Sequence, residues 1–280
     1  MSNAFLFPGQ GSQSVGMGEE YFSRFPDLVD QANQELGYSL DELCLRGPED
    51  KLAQTEFTQP ALYLTSYLAA RSLIDDGTKP DMAAGHSVGE FAALAIAEAF
   101  SFLDGLKIVA QRGSIMSRVS GGGMAAVIGM EESMLRDVLL AKELNQIDLA
   151  NFNSPGQIVI SGEAKQIQLA VPIIKESGAK LVVPLKVSGA FHSRMMEAPT
   201  KEFESFLSDF SISPPQFPVY SNRQALPYPD ANSVKILLVE QMRNSVLWSS
   251  SITRMRQDGA EEFFECGPGK VLTKLLRQIP

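Results

Sequence analysis

Apolar residues along this chain fall in short runs between glycine- and proline-bearing turns, and the runs change character along its length. Residues 4–7 are continuously apolar and too short for a helix, which predicts a buried first strand. The polar segment Pro8-Gly9-Gln10-Gly11-Ser12-Gln13 ends it as a loop. Helical patterns follow, broken at Pro26, Gly37, Gly47 and Gly77. Thr58-Gln59-Pro60 predicts the start of a long amphipathic helix to about Ile74, with Pro60 in the first turn, where a missing N–H is tolerated. The stretch Met82, Ala83 and Ala84 predicts a second short strand, and the Ala-rich run over 91–99 a helix. A further helix is expected from near Ser101-Phe102-Leu103-Asp104 through Arg112 and Met116.

The texture changes at Ser120. Gly121-Gly122-Gly123 predicts a flexible joint. After it the pattern predicts a strand over 124–129, a helix over 131–141, a strand over 147–151, a turn at Asn153-Ser154-Pro155-Gly156, a strand over 157–161, a helix over 164–177 and a strand over 180–185. This βαββαβ order suits a small ferredoxin-like module. Helical patterns then return, with strands expected near 217–220 and 262–265. The simplest architecture is a large α/β domain, residues 1–120 and 188–280, interrupted by a small inserted domain, residues 121–187.

Bulk properties narrow the function classes. At 280 residues the chain is long enough to bury a large core, and no apolar run is long enough to span a bilayer. The N-terminal segment lacks the basic and long apolar regions of a signal peptide, so the expected location is the cytoplasm. Cys44 and Cys266 are far apart and outside any metal-ligand spacing, which predicts two buried reduced thiols. A formal charge of −9 disfavours broad nucleic-acid binding.

The chemistry centres on Gly85-His86-Ser87-Val88-Gly89-Glu90, between a predicted strand and a predicted helix. Strand, tight turn and helix is the setting of the Gly-x-Ser-x-Gly nucleophile elbow, in which crowding two residues either side of the serine favours glycine. Ser87 is therefore the candidate nucleophile, and the alternative is a glycine-rich turn without chemistry. A serine hydroxyl needs a base within hydrogen-bond reach. The chain has two histidines. His86, beside the elbow serine, is expected to point away into the sheet. His192, in Val187-Ser188-Gly189-Ala190-Phe191-His192-Ser193, is the candidate base; the alternative is a structural loop histidine. No histidine follows it, so the residue order disfavours an ordinary α/β-hydrolase, and a neutral amide or a backbone carbonyl could orient the imidazole in a Ser-His dyad. The Gln10 and Val88 amides are the candidate oxyanion donors. Arg112 lies among apolar neighbours and needs an anionic partner, either a protein acid or the free carboxylate of a dicarboxylic acyl group.

Together these residues resemble the malonyl-CoA:acyl carrier protein transacylases. The resemblance runs nearly end to end, through Phe7-Pro8-Gly9-Gln10-Gly11-Ser12-Gln13, Thr58-Gln59-Pro60-Ala61, the elbow hexapeptide, Gln111-Arg112-Gly113 with Met116, Asn153-Ser154-Pro155-Gly156-Gln157, Gly189-Ala190-Phe191-His192-Ser193 and Gly267-Pro268-Gly269-Lys270-Val271-Leu272. It implies an α/β-hydrolase-like large domain with a ferredoxin-like insert, and a malonyl group carried as an ester on Ser87. It also implies His192 as base, Gln241 as the residue whose carbonyl orients it, Arg112 as carboxylate clamp, and Gln10 and Val88 as oxyanion hole. Gln59, Met116 and Asn153 would lie near the acyl pocket. The family's common elbow has leucine where this chain has Val88. Its Gly-Ala-Phe-His-Ser form goes with malonyl rather than methylmalonyl groups, Phe191 narrowing the space beside the acyl α-carbon.

The implied reaction takes malonyl-CoA as substrate, passes the acyl group to the phosphopantetheine arm of an acyl carrier protein of fatty acid or polyketide synthesis, and needs no metal or redox cofactor. The chain is expected to be a monomer that meets neither nucleic acid nor membrane. An acyl hydrolase clearing carrier-bound thioesters and a non-catalytic scaffold docking carrier proteins are the rival readings. Lys186, Arg194 and Arg118 are candidates, by position alone, for a basic patch facing an acidic carrier.

Overall fold

The computed structural model describes residues 2–187 and 189–280; Met1 and the boundary residue Ser188 lie outside them. Among the described residues the strands are β1 (Asn3–Phe7), β2 (Met82–Gly85), β3 (Gly122–Ile128), β4 (Asp148–Ser154), β5 (Gln157–Glu163), β6 (Leu181–Pro184), β7 (Val219–Tyr220) and β8 (Glu262–Glu265). They form two sheets. The first runs β7-β2-β1-β8 with every neighbour parallel. Its inner strands β1 and β2 are buried almost throughout, which is why they read as unbroken apolar runs rather than alternating ones.

Register brings the site together. Phe7 of β1 pairs with Gly85 of β2, so the loop carrying Gln10 and the turn carrying Ser87 leave the same sheet edge side by side. The helix Gly89–Ile96 starts directly after the turn and is buried along its whole length. It sits hard on the strand backbone: a Cβ on Gly89 would lie 2.1 Å from the Phe7 carbonyl oxygen, and one on Gly85 would lie 2.0 Å from the Gly89 carbonyl carbon. The helices Thr55–Asp75 and Phe102–Ser117 pack along each other over this element and carry Gln59 and Arg112.

The second sheet runs β4-β5-β3-β6 with every neighbour antiparallel. Helices Glu132–Ala141 and Ala164–Glu176 cover it and enclose a core of its own, including Leu135, Leu139, Ile158, Ile160, Ile167 and Ile174. Its β4 edge is stitched to the rest of the chain, with the Phe152 amide donating to the Val246 carbonyl and the Val246 amide to Ala150, both at 2.9 Å.

The expected βαββαβ order is present, with ends shifted by up to about three residues. Three local expectations are corrected. The long helix begins at Thr55 rather than at Thr58, so Pro60 lies inside it; the Thr58 hydroxyl donates back to Leu52 and Gln54 instead of capping. Burial of both flanks overrides the local start signal there. Gly122 and Gly123 belong to β3 rather than to a flexible joint, and Gly122 is required by close approach, since its Cβ would lie 2.2 Å from the Ala190 amide nitrogen. β4 continues through Ser154, leaving only Pro155-Gly156 for the turn. No helix among the described residues is long and apolar enough to cross a membrane.

Replacing Gly89 with alanine is expected to destabilise the protein by about 3 kcal/mol, because a methyl group must be forced into the β1 backbone. A urea titration reads this directly, and a loss below about 1 kcal/mol would show that the helix can move off the strand.

Candidate active site

Ser87 and His192 meet although they lie far apart in the chain. Ser87 Oγ is 2.8 Å from His192 Nε2. His192 Nδ1 lies 2.8 Å from the backbone carbonyl oxygen of Gln241. A carbonyl only accepts, so Nδ1 carries the proton and the Nε2 lone pair faces the serine. Both residues hold a left-handed backbone, φ 53° at Ser87 and 56° at His192, a conformation that side-chain-bearing residues rarely adopt. The surroundings hold them there. The Ser87 amide donates to Asn222 Oδ1 at 2.7 Å while Asn222 Nδ2 donates to the Gly85 carbonyl at 2.6 Å, and the His192 amide donates to the Met242 carbonyl at 3.1 Å.

Arg112 reaches the same point from the helix Phe102–Ser117 and is fully buried. Its Nη1 donates to Gln59 Oε1 at 2.7 Å, and its Nη2 to Gln241 Oε1 at 2.8 Å and to Ser87 Oγ at 3.2 Å. The guanidinium lies over the Phe91 ring, 5.4 Å from its centroid. Among the described residues none of its hydrogen-bond partners is a carboxylate, and its Nε has no partner at all. Of the two partners the sequence left open, the protein acid is therefore not in direct contact.

Burial shapes the titration of the cluster. Burial and then the Arg112 cation press the His192 imidazole down to about 3, against the pull of the Gln241 carbonyl. Burial lowers Arg112 to about 9, opposed by Glu90, which leaves it cationic at neutral pH. Burial lifts the Glu90 carboxyl to about 7, opposed by donors from Tyr228, Gln241 and the Asn222 amide and by the Arg112 charge.

A cavity of about 90 Å³ opens over this cluster. Its lining includes Gln10, Gln59, Ser87, Val88, Arg112, Met116, Phe191 and His192. Gln10 Nε2 donates to Thr55 Oγ1 at 3.2 Å, which fixes its loop, and Gln59 Nε2 contacts Met116 Sδ at 3.2 Å. Among the described residues the Gln10 and Val88 amides meet no protein acceptor. Asn153 is not in the lining; Asn151, two positions back on β4, is. Asn153 Oδ1 instead meets His86 Nε2 at 2.8 Å. His86 is thus corrected: it does not point away into the sheet but lines the cavity rim between Asn153 and Trp248, and burial lowers its proton affinity. No cluster of three or more His, Cys, Asp or Glu able to hold a metal occurs among the described residues. Arg194 is paired with Asp148 and Arg118 with Glu202, so among the described residues Lys186 alone of the three basic candidates is seen without an acid partner.

The family model for the acyl transferase domain matches residues 4–279. The chain belongs to the acyl transferase domain family. It is 48% identical over 280 residues to the polyketide biosynthesis protein ThaF of Burkholderia thailandensis, covering 99% of this chain and 24% of that protein, so it spans about a quarter of that relative. It is 47% identical over 277 residues to the polyketide biosynthesis malonyl CoA-acyl carrier protein transacylase PksC of Bacillus subtilis, covering 98% of this chain and 96% of that one. Its fold superposes at a TM-score of 0.95 on a solved malonyl-transacylase in complex with a type II PKS acyl-carrier protein (PlMCAT:AntF), at 34% identity and covering 100% of this chain and 93% of that one.

Sequence reasoning missed three residues at this candidate site. Glu90, inside the quoted hexapeptide, is completely buried and accepts from Tyr228 Oη, the Asn222 amide and Gln241 Nε2. Asn222 and Tyr228 follow β7, the neighbour of β2, so knowledge of the sheet order would have found them. No local pattern marks either one.

An imidazole at its ordinary value loses about nine-tenths of its neutral form between about pH 7.5 and about pH 5.5. His192 is expected to stay neutral across that window. The rate at which a neutral fluorophosphonate labels Ser87 should then change by no more than about threefold. A fall of about tenfold would show an imidazole of ordinary basicity.

Proposed function

We propose that the protein transfers a malonyl group from malonyl-CoA to the phosphopantetheine thiol of an acyl carrier protein through a malonyl ester on Ser87. One observation carries this reading. A guanidinium that is buried and, among the described residues, has no contacting carboxylate and no partner for its Nε lies 3.2 Å from the hydroxyl of a serine that also meets a histidine. An unpaired buried cation is costly, so the site is complementary to an acyl group that brings its own carboxylate. The names of PksC, a malonyl CoA-acyl carrier protein transacylase, and of the PlMCAT:AntF complex support the same substrate and partner.

In this mechanism the malonyl carboxylate binds Arg112, with Gln59 and Gln241 holding the guanidinium plane. His192 Nε2 takes the Ser87 proton as Oγ attacks the thioester carbonyl. The Gln10 and Val88 amides hold the oxyanion. The C–S bond breaks, the CoA sulfur takes the proton from His192, and the ester remains on Ser87. The carrier thiol then gives its proton to His192 and attacks the ester, and Ser87 recovers a proton as its C–O bond breaks. These residues supply each proton transfer and charge contact, so the steps require no metal or redox cofactor. The substrate also tunes its own base: its carboxylate offsets the Arg112 charge that depresses His192, so the imidazole becomes more basic when a malonyl group is in place. Phe191 and Met116 bound the space beside the acyl α-carbon, and Asn153 acts on the pocket through His86. Discrimination against an added methyl is worth about 1–3 kcal/mol.

The scaffold is proposed as an α/β-hydrolase-like domain, 1–120 and 188–280, with a ferredoxin-like insert, 121–187. The parallel order β7-β2-β1-β8 and the antiparallel order β4-β5-β3-β6 with two covering helices support it.

Ser87→Ala is expected to abolish the covalent malonyl adduct seen by intact-protein mass after incubation with malonyl-CoA; an undiminished adduct would end the nucleophile assignment. Arg112→Ala is expected to lower malonyl loading by about a hundredfold and to leave acetyl-CoA the better donor. Survival of the malonyl preference in that variant would refute the clamp. Release of free malonate in place of transfer, in the presence of a holo carrier protein, would favour a hydrolase.

A further inference from the structure

Glu90 has no part in the mechanism above, yet it is a completely buried carboxylate one link from both ends of it. Its Oε1 accepts from Tyr228 Oη at 2.5 Å and from the Asn222 amide at 2.9 Å. Its Oε2 accepts from Gln241 Nε2. Gln241 Nε2 also donates to the Ser87 carbonyl at 3.0 Å, and Gln241 Oε1 accepts from Arg112 Nη2. The Gln241 backbone carbonyl is the one that holds His192 Nδ1.

With Glu90 ionised, the polarity of this chain of contacts has a single consistent solution. An ionised carboxylate only accepts and a guanidinium only donates. A carboxamide between them must turn its NH2 to the carboxylate and its oxygen to the guanidinium. We propose that Glu90 is a positioning residue that sets the Gln241 amide, so that Gln241 offers an acceptor to Arg112 and holds its fork toward the acyl carboxylate. Glu90 balances the Arg112 charge through Gln241 without bonding to the guanidinium itself, whose Nη2 stays 3.2 Å from Ser87 Oγ. This assignment rests on the reading of Arg112 as the carboxylate clamp.

Glu90→Gln tests it with little change of shape. The new carboxamide faces three donors, from Tyr228, Asn222 and Gln241, with only one oxygen. If its NH2 faces Gln241, that amide must flip and set donors against Arg112. If its NH2 faces the other side, the Asn222 amide loses its acceptor.

The measurement is the single-turnover rate of Ser87 acylation by malonyl-CoA and by acetyl-CoA, in the full chain, for wild type, Glu90→Gln, Tyr228→Phe and Arg112→Ala. In Glu90→Gln the malonyl rate is expected to fall about tenfold further than the acetyl rate, because acetyl has no carboxylate for Arg112 to meet. In Tyr228→Phe, which removes one donor and keeps the acid, the ratio is expected to shift the same way by about threefold. Equal losses for the two donors would mark Glu90 as merely structural and overturn the proposal, as would an unchanged ratio. If Glu90→Gln does not fold, the ratio in Tyr228→Phe decides. The Arg112→Ala arm separates the two readings. Loss of malonyl preference there with its retention in Glu90→Gln removes only the role of Glu90. Retention in Arg112→Ala removes the clamp, and this assignment with it.

Discussion

The site is organised around a buried positive charge that, among the described residues, has no acid against it. Taking a guanidinium out of water costs several kcal/mol, and the protein offsets that with two glutamine oxygens, an aromatic face and a carboxylate one residue removed. Direct pairing with Glu90 would be the cheaper way to bury Arg112. It would also close the fork. Placing Gln241 between them keeps charge balance and, among the described residues, leaves the guanidinium without a contacting carboxylate and its buried Nε without a partner, so the fold retains an unfilled electrostatic demand beside the serine.

The same residue ties that demand to the proposed base. Gln241 ends the helix Ala231–Gln241, and there its backbone carbonyl holds His192 while its side chain holds Arg112. Ser87 and His192 both carry strained left-handed backbones, and each is pinned by a hydrogen bond from a distant segment, Asn222 for one and Met242 for the other. The hydroxyl, imidazole and guanidinium are therefore set by packing before any substrate arrives, which is what electrostatic stabilisation of a short-lived anion requires.

The cavity lies where the two sheets meet. Ser87, Val88 and Gln10 come from the edge of the parallel sheet, Met124 and Asn151 from the antiparallel one, and Phe191 and His192 from the segment that returns between them. The β4 contact with Val246 keeps the two parts in register across this seam.

Much of this was legible in one dimension. The hexapeptide at 85–90, the apolar run at 4–7 and the scarcity of histidine were enough to nominate Ser87, His192 and Gln10, and the apolar neighbours of Arg112 nominated that residue, because each of these features is local. The βαββαβ segment was readable from periodicity for the same reason. The orientation of His86, the place of Asn153 behind it, the fit of Gly122 against Ala190 and the network of Glu90, Asn222, Tyr228 and Gln241 were not. They depend on which strands become neighbours, and no local pattern encodes that β7 lies beside β2. The sequence determined the candidate reacting groups and most of the elements that carry them. The tertiary structure alone decided that a buried arginine would be left without a contacting carboxylate, because partner choice is a property of long-range packing.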